Sequence, residues 1–120
     1  MTPQRSQRAL EQELTAIRAS AMGCGLVSFG DLKTQSVLAE SRDAIWQGAQ
    51  LERLFTGACQ AFSLLEHVAG QPDHLVALAP EEARIFVRHR HDTIMLAGAD
   101  LTEMEALIPK VRDILHIGVI

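Results

Sequence analysis

Along this chain the apolar positions switch between helical and strand spacing in a definite order. Leu10, Leu14, Ile17 and Ala21 recur at three- to four-residue intervals, which predicts a helix over residues 3–22. Thr2 is suited to its N-cap, and Pro3 to the first turn, where a missing N–H costs nothing. Gly23 supplies a left-handed stop. Residues 24–29 and 35–40 read as strands joined by turn chemistry at Gly30-Asp31-Leu32-Lys33, a hairpin. A connection over residues 41–49 carries the single tryptophan, Trp46. A second helical stripe fills residues 50–69 and stops at Gly70-Gln71-Pro72.

Three strand runs follow, at residues 74–79, 83–88 and 93–97, with turns at Pro80-Glu81-Glu82 and His89-Arg90-His91-Asp92. Ile94, Met95, Leu96 and Ala97 are apolar in succession, the mark of a strand covered on both faces and placed centrally in its sheet. Asp100 caps the final helix, with Glu103 spaced for a capping box. That helix buries Leu101, Met104, Leu107, Ile108, Val111, Ile114 and Leu115, and Pro109 should kink or split it. The order α-β-β-α-β-β-β-α predicts an α+β fold: a five-stranded antiparallel sheet sandwiched between helices, in one domain spanning residues 1–120.

The second helix carries more apolar surface than docking requires. Leu51, Leu54, Phe55, Ala58, Phe62 and Leu65 make an ordinary core stripe. Beside it lies a second set: Gly57, Ala61, Leu64 and Val68. A mid-helix glycine costs about 1 kcal/mol relative to alanine. Gly57 therefore implies either a close helix–helix contact with a second subunit or a wide core stripe with Gly57 tolerated or pressed against Trp46. The strand after this helix, Leu75-Val76-Ala77-Leu78-Ala79, has no internal charge or proline. At a sheet edge it is a template for pairing with another strand. Together Gly57, Ala61, Leu64, Val68, Leu75, Val76, Ala77 and Leu78 form a candidate homodimer interface. Arg53, Thr56, Gln60, Ser63 and His67 occupy the outward side of the helix and are candidate partner-binding residues.

Composition narrows the function. Hydrophobic residues make up 48% of 120, which argues for a folded core. The net charge is −4, with Lys and Arg scattered singly, so no basic footprint for nucleic acid or membrane surface appears. No apolar run approaches the roughly 20 residues of a membrane span, and the N-terminus reads as an amphipathic pattern rather than a signal peptide, so a cytoplasmic location is expected. Cys24 and Cys59 lack a CxxC pairing and read as free buried thiols, a disulfide being the alternative.

Catalytic signatures are weak. Gly23-x-Gly25 with Gly30 lies between a helix and a strand, the reverse of a phosphate loop. His89 and His91 flank Arg90 in a predicted turn, and His67 and His74 flank a loop; neither pair has zinc-site spacing, and solvated turn histidines are expected. Cys59 and His67 stand two turns apart, too far for a dyad. Arg42, Arg53, Arg84, Arg88 and Arg90 read as exposed surface charges, with transition-state stabilisation in a partner as the other reading. No catalytic residue, cofactor or metal is expected, and the chain is expected not to be an enzyme.

Gly25-Leu26-Val27-Ser28-Phe29 followed by Val37-Leu38-Ala39-Glu40-Ser41, and Ile85-Phe86-Val87-Arg88 followed by Ile94-Met95-Leu96-Ala97-Gly98, resemble the opening and closing hairpins of the roadblock (dynein-light-chain-like) family. The resemblance covers residues 10–115 and departs from the family at Pro109. It implies a roadblock/profilin-like sheet with the second helix on one face and the first and third on the other. It implies homodimers in which second helices pair and third strands join into one sheet. Family members bind small Ras-like GTPases as activators, co-activators or anchors, or serve as scaffolds. The expected function is thus a non-enzymatic homodimeric regulatory module for a small Ras-like GTPase. The alternative is a small-ligand or metal sensor with a pocket near Trp46 and His67/His74.

Overall fold

A computed structural model describes residues 6–70, 73–79 and 82–117. The elements are α1 (Gln7–Ser20), β1 (Cys24–Asp31), β2 (Ser36–Arg42), α2 (Gly48–Ala69), β3 (His74–Ala79), β4 (Glu82–His89), β5 (Asp92–Gly98), α3 (Leu101–Glu105) and α4 (Ile108–Ile117). The five strands form one antiparallel sheet in the order β2-β1-β5-β4-β3. β5 is central, as its unbroken apolar run predicts, and β3 is an edge.

Strand alternation splits the core in two. Odd-numbered β4 and even-numbered β5 side chains, among them Ile85, Val87, Ile94 and Leu96, point to the face covered by α1, α3 and α4. There they meet Leu10, Leu14, Ile17, Met104, Leu107, Val111 and Leu115. The opposite set, Leu26, Phe86, Met95 and Ala97, packs under α2 against Leu51, Ala58 and Phe62. Phe62, Leu51 and Met95 are almost wholly buried. This two-sided burial explains why the sheet centre lacks the polar alternation of a half-exposed sheet.

Several boundaries differ from the sequence reading. Helix α1 begins after Ser6, whose hydroxyl accepts from the Ala9 N–H, so the cap is Ser6 and not Thr2. Thr2 and Pro3 lie outside the described residues, as do Gln71, Pro72, Pro80, Glu81 and residues 118–120. Gly23 does adopt the left-handed region, φ 83°. The predicted turn at 30–33 moves to 32–35, with Gln35 taking the positive φ of 58°. Gly30 belongs to β1, and its reason is packing: a Cβ there would stand 2.2 Å from Phe55 Cε2. The β1–β2 register shifts at Phe29/Gly30, beside that contact. The β4–β5 turn is tighter than expected, with Arg90 at φ 57°. Helix α2 starts at Gly48, two residues early, and Gln50 Oε1 accepts from the Gln47 N–H at 2.9 Å. The Asp100 carboxylate accepts from the Glu103 N–H at 3.1 Å, and the last helix is split: Pro109 falls in the first turn of α4, where its missing N–H costs nothing.

Candidate functional site

The spare stripe of α2 and the edge strand β3 meet in one groove. Its lining is Arg53, Leu54, Gly57, Ala58, Ala61 and Leu65 from α2, Leu75, Val76 and Ala77 from β3, and Arg84 and Phe86 from β4, around about 450 Å³. Five of the eight residues expected at a dimer interface therefore share one surface. Leu64 and Leu78 stand on its flanks, 69% and 70% exposed, and Val76 is 44% exposed. The Val68 side chain lies outside the described residues.

Gly57 is not pressed against Trp46. A Cβ built on it meets nothing within 4 Å, so the described residues leave that space open. Trp46 is elsewhere: its Nε1 and the Asp43 carboxylate sit over Gly25, where a Cβ would be 3.0 and 2.8 Å from them. The close approach that Gly25 permits fastens the connection before α2 to the sheet. The Arg42 guanidinium holds the same connection by donating to the Trp46 carbonyl.

The groove floor was not anticipated. Arg84 and Phe86 reach it because β4 alternates Arg84, Phe86 and Arg88 on the α2 side with Ala83, Ile85 and Val87 on the other. That period-two pattern is visible in the sequence once β4 is placed next to the edge. Arg84 is tied to Glu82 through Nε at 2.9 Å and Nη2 at 2.7 Å, both to Oε2. A second cavity of about 400 Å³ continues past Arg53, Leu54 and Arg84 to Ile45, Trp46, Gln50 and Glu82.

Arg53, Thr56, Gln60, Ser63 and His67 are all exposed on α2. Arg88 is not the surface charge expected from sequence. Its side chain is 7% exposed, its guanidinium pairs with Glu66, and it lies 5.5 Å over the Phe62 ring. It clamps the C-terminal half of α2 to the sheet. His89 is also no solvated turn residue; it ends β4 half-buried, with its ring 4.3 Å from that of His116. His91 is exposed in the turn as expected.

Among the described residues, Trp46 does not share its cavity with His67 or His74. Trp46 precedes the first turn of α2 and His67 lies in its last, about 30 Å of helix apart. Neither histidine lines the cavity beside Trp46.

Cys24 and Cys59 are both free and buried. Burial is the largest cause pushing each thiol upward, which keeps it protonated and unreactive near neutrality. Asp92 faces Asp31 across the β1–β5 pair; burial first, then the Asp31 charge, raise its carboxyl, while His89 and His91 oppose the shift. Because the shift is upward, Asp92 favours the folded state in acid and loses that contribution as pH rises through its titration.

No family model matches the sequence, and no curated protein sequence matches it. Solved structures do match in three dimensions. MglB in a tetrameric arrangement superposes with a TM-score of 0.81 at 13% identity, over 93% of this chain and 89% of that one. Myxococcus xanthus MglB gives 0.74 at 11% identity, over 94% and 89%. The roadblock/LC7 domain from Streptomyces avermitilis gives 0.67 at 10% identity, over 86% and 94%. The chain has the roadblock fold. Fission yeast (Schizosaccharomyces pombe) profilin, at a TM-score of 0.61 and 12% identity over 94% of this chain and 99% of that one, shares the broader architecture. Among the described residues no helix is long and apolar enough to cross a membrane.

Proposed function

We propose that this chain is a non-enzymatic regulatory or scaffold module that works as a homodimer and binds a small Ras-like GTPase. The observation that carries the reading is the groove between α2 and β3. Its apolar lining is open to solvent, Gly57 leaves room for another backbone, and the strand beside it presents an unpaired edge. A second copy related by a twofold axis satisfies all three features at once, because each copy supplies the same stripe and the same edge. The roadblock fold adds support, since the family resemblance implies pairing through these elements.

Pairing through the stripe leaves Thr56, Gln60, Ser63 and His67 of both copies exposed, and Arg53, which also lines the groove, stands where the two surfaces meet. A mixed polar surface of this kind suits a reversible interface better than an obligate one. This is where the GTPase docks. The sensor alternative loses its support with the separation of Trp46 from His67. The test mixes the protein with small GTPases of its own source in both nucleotide states. Binding should be lost in Arg53→Glu plus Gln60→Ala while the dimer mass is kept. Undiminished binding in that variant moves the docking surface elsewhere, and no binding to any such GTPase rejects the partner class.

A further inference from the structure

A small cavity of about 190 Å³ lies on the other side of the sheet from the groove, between α4 and the ends of β3 and β4. It is lined by Asp73, Arg88, His89, Arg112, Leu115 and His116. Arg112, Leu115 and His116 share one face of α4 by their i, i+3, i+4 spacing. Position is fixed from the sheet side as well: the Arg88 N–H donates to the Asp73 carbonyl at 2.8 Å, closing the cavity's rim.

Three side chains that carry N–H donors line it: Arg112, His89 and His116. The Arg112 Nε is shut off from solvent and has no hydrogen-bond partner. A buried donor left unmade costs about 1–3 kcal/mol, so this guanidinium has an unspent hydrogen bond for an acceptor that reaches it. The His89 and His116 rings touch, with centroids 4.3 Å apart and planes at 58°. The Arg88 guanidinium is spent on Glu66 and the Arg90 carbonyl, so it is not among the ligand contacts. Asp73 is the opposing charge, and it is exposed.

The geometry points to a binding site for a small oxyanion, of the phosphate or carboxylate class, held by Arg112, His89 and His116. It is independent of the α2–β3 groove. Guanidinium and imidazole N–H groups both form charge-assisted bonds to such oxygens. The probe is inorganic phosphate, with acetate as a parallel titrant to separate the two ligand classes, added to the full ¹⁵N-labelled chain. The Arg112 Nε–H and the ring nitrogens of His89 and His116 should shift together and saturate. Arg112→Gln should weaken phosphate binding at least about tenfold, with the fold checked by circular dichroism. Asp73→Asn, a surface change that keeps the fold in play, should tighten it several-fold. Non-saturating shifts, or an Asp73→Asn variant that binds phosphate more weakly than the wild type, overturn the assignment.

Discussion

The two edges of the sheet are treated in opposite ways. The β2 edge is managed by the chain itself. Helix α1 lies along it, the Gln7 side-chain amide donates to the Leu38 carbonyl, and Ser41 Oγ accepts from Thr15 Oγ1 at 2.9 Å and Arg18 Nε at 3.0 Å. Glu40 and Arg42 add an ion pair at 2.9 Å, the charged side chains typical of a guarded edge. The β3 edge carries Leu75, Val76, Ala77 and Leu78 with no charge among them, and α2 turns an apolar stripe toward it. An edge costs little when the chain's own polar groups occupy it. An edge left bare beside open apolar surface is a template for pairing with another strand.

The contrast breaks most sharply at Gly57. Gly57→Leu should leave the isolated domain as stable as before or slightly more so, because its Cβ meets nothing within 4 Å and helix propensity improves by about 1 kcal/mol. The dimer should weaken about tenfold to a hundredfold, the overpacking cost of about 1–3 kcal/mol. Light scattering at micromolar concentration should then read the 13.2 kDa monomer mass. A wild type already monomeric across that range removes the interface altogether.

A charge placed on each edge in turn sharpens the comparison. Leu78→Lys should weaken association by about tenfold, since lysine on an edge strand opposes pairing with another chain. Leu38→Lys on the guarded edge should leave association unchanged. Equal effects from the two substitutions would mean that the edges are equivalent, contrary to the structure.

Smaller effects test the guard itself. Ser41→Ala removes the acceptor of two hydrogen bonds and should cost about 1 kcal/mol in a denaturant titration, with the dimer mass preserved. Gln7→Ala should cost only a few tenths of a kcal/mol, because Gln7 is exposed and its bond to Leu38 competes with water. A larger loss from Gln7→Ala than from Ser41→Ala would reverse the order of importance along this edge.

Much of this was legible along the chain. The stripe Leu10–Leu14–Ile17, the unbroken apolar run in β5, the Asp100 cap and the Pro109 split all follow from side chains acting on their near neighbours. The misreadings of Gly30, Arg88 and His89 share one cause. Gly30 resembles a turn residue until Phe55 is known to lie over it, and Arg88 resembles a surface charge until Glu66 and Phe62 are brought beneath α2. His89 resembles a turn histidine until α4 folds back with His116. Each depends on a partner distant in sequence.

By itself the sequence determined the order of helices and strands, the two-faced burial of the central strand and the presence of a spare apolar stripe on α2. Those features rest on period and propensity, which act over a few residues. Only the tertiary structure decided that β3 is last in the sheet, that none of the described residues covers Gly57, and that stripe and edge form one groove. Strand order and the emptiness of a surface are set by which distant segments pair and which do not, and no local pattern encodes that.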